Sequence, residues 1–88
     1  MEPDKNVIKS YVWHGDKCFF VSTIERDSSS MIGLDRYNET IVWEFDRDNN
    51  EMGEIVSSRG DSKGSLRAHF NVCALLHETG SAERQEEE

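Results

Sequence analysis

Two strand-like segments joined by only two residues constrain the fold of this chain most. Residues 7–14 and 17–26 are rich in β-branched and aromatic side chains, which favour strands. Gly15 and Asp16 between them fit a type II′ turn, because glycine readily adopts the positive φ of the first turn position. Such a turn fixes the register of the hairpin. The predicted cross-strand pairs are His14 with Lys17, Trp13 with Cys18, Val12 with Phe19 and Tyr11 with Phe20.

Both faces of this predicted hairpin are apolar. One face holds Val7, Tyr11, Trp13, Cys18, Phe20 and Ile24. The other face holds Ile8, Val12, Phe19 and Val21. A single helix covers only one face of a sheet, so large aromatic side chains remain outside, which is typical of a protein interface. The alternative is that the 27–36 loop covers the second face with Met31, Ile32 and Leu34.

The rest of the chain completes a small α+β domain. In chain order we predict a loop at 27–36, a strand at 37–46, a turn at 47–51, a short strand at 53–58, a polar linker at 59–64 and a helix at 65–77. The predicted fold is a four-stranded antiparallel β-meander with one C-terminal helix packed on one face. Residues 1–80 are interpreted as one domain, and 81–88 as an acidic flexible tail.

The helix has an apolar stripe and two end signals. The stripe consists of Leu66, Phe70, Cys73 and either Leu76 or His77, at three- and four-residue spacing. Ser62 or Ser65 is expected to cap the first turn, because serine hydroxyls accept hydrogen bonds from unpaired backbone N–H groups. Gly80 is expected to end the helix, since glycine adopts the left-handed conformation found there.

Composition narrows the class of partner. The 88 residues carry a net charge of −8, and the segments 35–54 and 78–88 hold most of the negative charge, with nets of −5 and −4. Direct nucleic-acid binding is not expected, because it depends on Lys and Arg neutralising phosphates. No segment resembles a membrane span or a signal peptide, so we expect a cytoplasmic location. There the two cysteines would be reduced thiols.

The acidic segment around the third and fourth strands is the candidate partner-binding site. Carboxylates held on a rigid β-hairpin accept Arg and Lys side chains as phosphates do, so they can occupy a basic groove of a partner protein. The candidate residues are Glu39, Glu44, Asp46, Asp48, Glu51 and Glu54, with Trp43 or Trp13 as an aromatic anchor. The alternative interpretation is that the acids serve solubility alone.

Patterns for metal binding or catalysis are weak. His69, Cys73 and His77 share one side of the helix, and His14 and Cys18 have the same four-residue spacing, so a zinc site is a third hypothesis. Paired Cys-x-x-Cys motifs are absent, and no serine has a Gly-x-Ser-x-Gly frame. We therefore expect no metal, no cofactor and no enzymatic activity.

The favoured hypothesis is a small acidic, non-enzymatic protein-binding module that occludes a basic, nucleic-acid-binding surface of a partner. The general profile, which is short and acidic with aromatic strands and no catalytic signature, is similar to that of small phage- or plasmid-encoded inhibitors, including anti-restriction and anti-CRISPR proteins. This is a similarity of profile and not of residues. The alternative function is a self-associating structural domain, which forms a homodimer and whose acidity serves solubility.

Overall fold

The computed structural model describes residues 5–27 and 36–82 of the chain. The elements are β1 (Lys5–His14), β2 (Lys17–Asp27), β3 (Arg36–Asp46), β4 (Glu51–Ser62) and α1 (Arg67–Thr79). The strands form one antiparallel sheet in the order β1-β2-β3-β4, and α1 packs on one face, mainly against β1. The predicted fold class is therefore confirmed. The part of the predicted loop that holds Met31, Ile32 and Leu34 lies outside the described residues, as do residues 83–88 of the predicted 81–88 tail. Ala82, which the sequence placed in that tail, is 5% exposed and packs in the core.

The first hairpin has the predicted turn and register. Gly15 has φ +59°, as the first position of a type II′ turn requires. All four predicted cross-strand pairs are present, from His14 with Lys17 to Tyr11 with Phe20. This register directs Val12 towards α1 and directs Trp13 to the opposite face, which we call the outer face of the sheet.

The fourth strand is longer than the sequence indicated. It continues through residues 59–62, so the prediction of a linker beginning at residue 59 is wrong. Arg59, Gly60 and Asp61 pair with successive residues of β3, although none of the three favours strands. Hydrogen bonding to the backbone of β3 therefore outweighs the low strand propensity of this segment. At its other end β4 begins directly after the 47–50 turn, where Asn50 has φ +56°.

The core lies between the sheet and α1. Its buried apolar residues are Val12, Phe19, Val21, Val42, Val72, Leu76 and Ala82. The predicted apolar stripe of the helix is only partly correct, because Phe70 is 55% exposed whereas His69 is 0% exposed. The buried side of α1 is formed by His69, Val72 and Leu76. A polar residue replaces the expected aromatic one because the sheet supplies partners for its ring nitrogens, as described below.

Both ends of α1 have identifiable caps. The predicted Ser65 hydroxyl accepts the backbone N–H of Arg67 (3.3 Å), and a carboxylate oxygen of Asp61 accepts that of Ala68 (3.0 Å) in the first turn. Ser65 donates its hydroxyl to the same carboxylate oxygen (2.8 Å) and holds the cap in place. Gly80 ends the helix as predicted, with φ +74° and its N–H bonded to Leu76 O. At 13 residues, α1 is too short to cross a bilayer, and residues 5–27 and 36–82 contain no helix that is long and apolar enough to do so.

We expect Asp61→Ala to lower the melting temperature. The three hydrogen bonds that Asp61 accepts, from Ala68 N–H first, lower the pKa of its carboxyl group. Because the folded-state pKa is depressed, the stabilisation is present above the unfolded value of about 3.9 and is lost as pH falls through the folded value. Thermal unfolding followed by circular dichroism at neutral and acidic pH measures this loss. The exposed Asp48→Ala removes the same charge and is the control; equal melting temperatures for the two variants would contradict the capping role.

Candidate partner-binding surface

One end of the sheet carries a concentration of carboxylates, which we call the acidic end. The β1–β2 and β3–β4 turns lie at the same end of an antiparallel meander, and α1 also finishes there. His14 connects the end of β1 to the end of α1, because its Nδ1–H donates to the carbonyl oxygen of His77 in the last helical turn (2.9 Å). The acidic end comprises Asp16, Glu44, Asp46, Asp48, Glu51 and Glu54. Asp16 was not among the predicted site residues, because it belongs to the other hairpin.

The β3–β4 turn is organised by Asp46. One carboxylate oxygen accepts the backbone N–H groups of Asp48 (3.0 Å) and Asn49 (3.3 Å), and the other accepts the Asn49 amide (2.8 Å). The hydrogen bonds from Asn49, side chain first, lower the pKa of the Asp46 carboxyl group. The turn is therefore closed around an ionised carboxylate, which fixes the backbone on which the neighbouring acids stand.

The other five acids of this end are exposed. Within the described ranges none of them forms an ion pair: Asp16, Glu44, Asp48, Glu51 and Glu54. The nearest arginine in sequence, Arg47, lies over the Trp13 ring, with its guanidinium carbon 5.1 Å from the ring centroid. The protein therefore leaves most of this negative charge available to another molecule.

A shallow pocket opens between the start of β2 and the β3–β4 hairpin. Its volume is about 270 Å³. Asp16, Glu44 and Asp46 contribute carboxylates to the lining, Lys17 contributes one positive charge, and Phe19 and Phe45 contribute aromatic walls, so the lining as a whole is negatively charged. An Arg or Lys side chain has a matching construction, with an apolar stem and a cationic head.

Glu39 has a different environment from the other predicted acids. It lies on the outer face of the sheet, where it accepts hydrogen bonds from Arg26 (2.7 Å) and from the Ser58 hydroxyl (2.6 Å). The Ser58 hydrogen bond, followed by that of Arg26, lowers the pKa of the Glu39 carboxyl group. Its charge is balanced within the protein, so we do not include Glu39 in the acidic end.

The outer face next to the acidic end is aromatic. The ring centroids of Tyr11 and Phe20 are 5.1 Å apart, those of Tyr11 and Phe45 5.3 Å, and those of Phe20 and Trp43 5.7 Å. Tyr11 is 56% exposed and Trp13 43% exposed, whereas Trp43 is half-buried. These five residues form what we call the aromatic patch. The aromatic patch could be predicted from the sequence, because the hairpin register and the alternation along β3 bring these residues to one face.

A buried polar network occupies the opposite face, beneath α1. The ring of His69 bonds through Nε2 to Ser10 Oγ (2.8 Å) and through Nδ1 to Thr23 Oγ1 (2.9 Å). Thr23 also bonds to Thr40 Oγ1 (2.5 Å), so the network joins α1 to three strands. Burial lowers the pKa of His69, which favours the neutral ring. This network could not be predicted from the sequence, because its members are far apart along the chain.

The residues considered for zinc have other partners. Both ring nitrogens of His69 are used by hydroxyl groups, and His77 Nδ1–H donates to the Trp13 carbonyl oxygen (3.2 Å). Cys18 and Cys73 are free thiols, and burial raises the pKa of each. Within residues 5–27 and 36–82, no three metal-ligating side chains come together.

The described surface thus combines uncompensated carboxylates, a small pocket suited to a cationic side chain, and an adjoining aromatic patch. Charge and aromatic area together are typical of surfaces that bind another protein. In comparisons with protein-family models, with curated proteins and with solved structures, no significant match to this chain was found.

Proposed function

We propose that this chain is a non-enzymatic protein-binding module that occupies a basic surface of its partner. The observation that supports the proposal most directly is the acidic end, where Glu44, Asp48, Glu51 and Glu54 form no ion pair with any described residue. Carboxylates in such an array attract Arg and Lys side chains as a nucleic-acid backbone does. The partner is therefore a nucleic-acid-binding protein, and the module blocks its groove in the manner of small phage- or plasmid-encoded inhibitors.

The aromatic patch provides the apolar contact area of the proposed interface, which the charged residues do not provide. Electrostatic attraction mainly accelerates association, whereas buried aromatic anchors provide most of the affinity. Trp13 is suited to this role, because it is exposed at the boundary between the patch and the acidic end. Arg47 covers part of its ring and would move aside or turn towards a partner.

Competition with nucleic acid tests this function. The probes are purified proteins with basic nucleic-acid-binding grooves, each loaded with a fluorescent oligonucleotide whose anisotropy falls on displacement. We expect this chain to displace the oligonucleotide from at least one of them, with an affinity that falls as salt increases. A fourfold variant, Glu44→Gln, Asp48→Asn, Glu51→Gln and Glu54→Gln, is expected to bind about 30-fold to 100-fold more weakly. Asp46 is kept because it closes the turn.

The matched control removes four charges from the C-terminal segment. Glu83, Glu86, Glu87 and Glu88 are each changed to Gln, so both variants have the same net charge. We expect the control to retain nearly all of the affinity. Equal losses in the two variants, or an affinity that does not change with salt, would show that the arrangement of charge at the acidic end has no role in recognition.

A further inference from the structure

The two edges of the sheet differ in how well they are protected. In β4 the pairing with β3 is irregular at two places, and the strand carries four charged residues, Glu51, Glu54, Arg59 and Asp61. Register irregularities and charges are the usual devices that prevent an edge strand from pairing with another chain. In β1 the pairing with β2 is irregular at one place, between Asn6 and Ile8, but segment 8–14 is regular, and Lys9 is its one Lys, Arg, Asp or Glu. No described strand pairs with its open edge.

An apolar groove runs alongside this open edge, between β1 and α1. Its volume is about 460 Å³, and its lining includes Tyr11, Trp13, Phe70, Cys73 and Ala74. Phe70 is 55% exposed although it lies next to the buried His69. An open strand edge beside an apolar helix face is the arrangement that accepts an additional β-strand, because it offers both main-chain hydrogen bonds and a site for side chains.

We propose that a second copy of this chain occupies the edge, with the two β1 strands paired antiparallel about a twofold axis. Segment 8–14 spans about 24 Å, at roughly 3.4 Å per residue. An axis perpendicular to the sheet places both α1 helices on the same side, with the two Phe70 side chains over the seam. The product is a continuous eight-stranded sheet, and the two aromatic patches adjoin on its other face.

The charge distribution favours this antiparallel arrangement. Each acidic end lies at the end of the sheet where β1 finishes, so antiparallel pairing places the two acidic ends at opposite ends of the seam. The net charge of −8 on each chain therefore opposes association less than a parallel arrangement would.

The position of Lys9 also favours the antiparallel registers in which the outer faces of the two copies lie on the same side of the combined sheet. Residues opposite one another in such a pair share a face. If the two Tyr11 residues are opposite, Lys9 faces Trp13 of the second copy. If the two Ser10 residues are opposite, Lys9 faces Tyr11 instead. Lys9 lies on the outer face with both aromatic residues, because it pairs with Ser22 as Tyr11 pairs with Phe20. In both registers a cation meets an aromatic ring, which is a favourable contact.

Sedimentation velocity of the full chain tests the proposal. We expect the mass to rise from 10.1 kDa to twice that value as the concentration increases through the micromolar range. Phe70→Glu is expected to weaken association by about 100-fold or more, because twofold symmetry removes the apolar contact at two places. Ala74→Arg, at an exposed helical position in the same groove, is a second variant that keeps a good helix former.

The matched control is Ile55→Glu, which places the same charge at an apolar residue that is 59% exposed on the outer face of β4. This variant is expected to dimerise normally. Isotope-filtered nuclear Overhauser effects between β1 strands of different copies would establish the seam. A mass of 10.1 kDa at every concentration, or a dimer that Ile55→Glu disrupts and Phe70→Glu does not, would overturn the proposal. Protection, in a monomer, of the β1 N–H groups that point away from β2 would instead show that a segment of the same chain covers the edge.

Discussion

Replacing His69 with alanine is expected to lower the free energy of unfolding by about 3 kcal/mol. The side chain is completely buried, and both of its ring nitrogens are hydrogen-bonded to hydroxyl groups of the sheet. The substitution leaves a cavity and deprives Ser10 and Thr23 of a buried partner. Urea unfolding followed by circular dichroism measures the loss. His77→Ala is the control on the same helix; because His77 is exposed, we expect that change to cost less than about 1 kcal/mol.

The same residue gives the protein a specific pH dependence. Burial lowers the pKa of His69 in the folded state, so the unfolded chain takes up a proton first as the pH falls. The stabilisation by neutral His69 is therefore complete above the unfolded pKa of about 6.5 and is lost as the pH falls through the lower folded value. In the His69→Ala variant this part of the pH dependence should be absent. An unchanged profile, or similar losses in the two histidine variants, would show that the buried ring is not what stabilises the fold.

Leu76→Ala is expected to lower the free energy of unfolding by about 3 kcal/mol as well, but for a different reason. Leu76 is fully buried and belongs to the cluster that joins α1 to the sheet. Its truncation to alanine removes apolar contacts and leaves a cavity, but it breaks no hydrogen bond, because a leucine side chain forms none. The loss should therefore be nearly independent of pH between neutral and mildly acidic conditions, unlike the effect of His69→Ala.

The adjacent leucine provides the matched control for this change. Leu75 is only half-buried, so Leu75→Ala is expected to cost about 1 kcal/mol. Both variants lose the same atoms from neighbouring helical positions and therefore differ in packing alone. If the two substitutions cost the same, the described orientation of α1 on the sheet would be wrong.

The candidate surface was only partly predictable from the sequence. Glu44, Asp48 and Glu51 follow one another through a hairpin turn, so local pairing was sufficient to place them together. Asp16 joins them because a second hairpin ends at the same side of the sheet, which depends on the order of all four strands. Glu39 does not belong to the acidic end, because Arg26, 13 residues earlier in the chain, donates a hydrogen bond from Nη1 to Glu39 Oε1 (2.7 Å) on the outer face.

The features that depend on neighbouring residues were predictable from the amino-acid order alone. The Gly15–Asp16 turn set the register of the first hairpin, and Gly80 ended the helix. These features follow from local φ and ψ preferences and from side-chain alternation, which act over a few residues.

The burial of polar groups and the identity of their partners depend instead on how distant segments pack together. His69 lies in the core because Ser10, 59 residues away, and Thr23, 46 residues away, supply hydroxyl partners for its ring. Asp61 caps α1 because the extended β4 brings its carboxylate to the first turn. A polar side chain is stable in the interior only when its hydrogen bonds are satisfied, and such partners become known once distant segments have packed together.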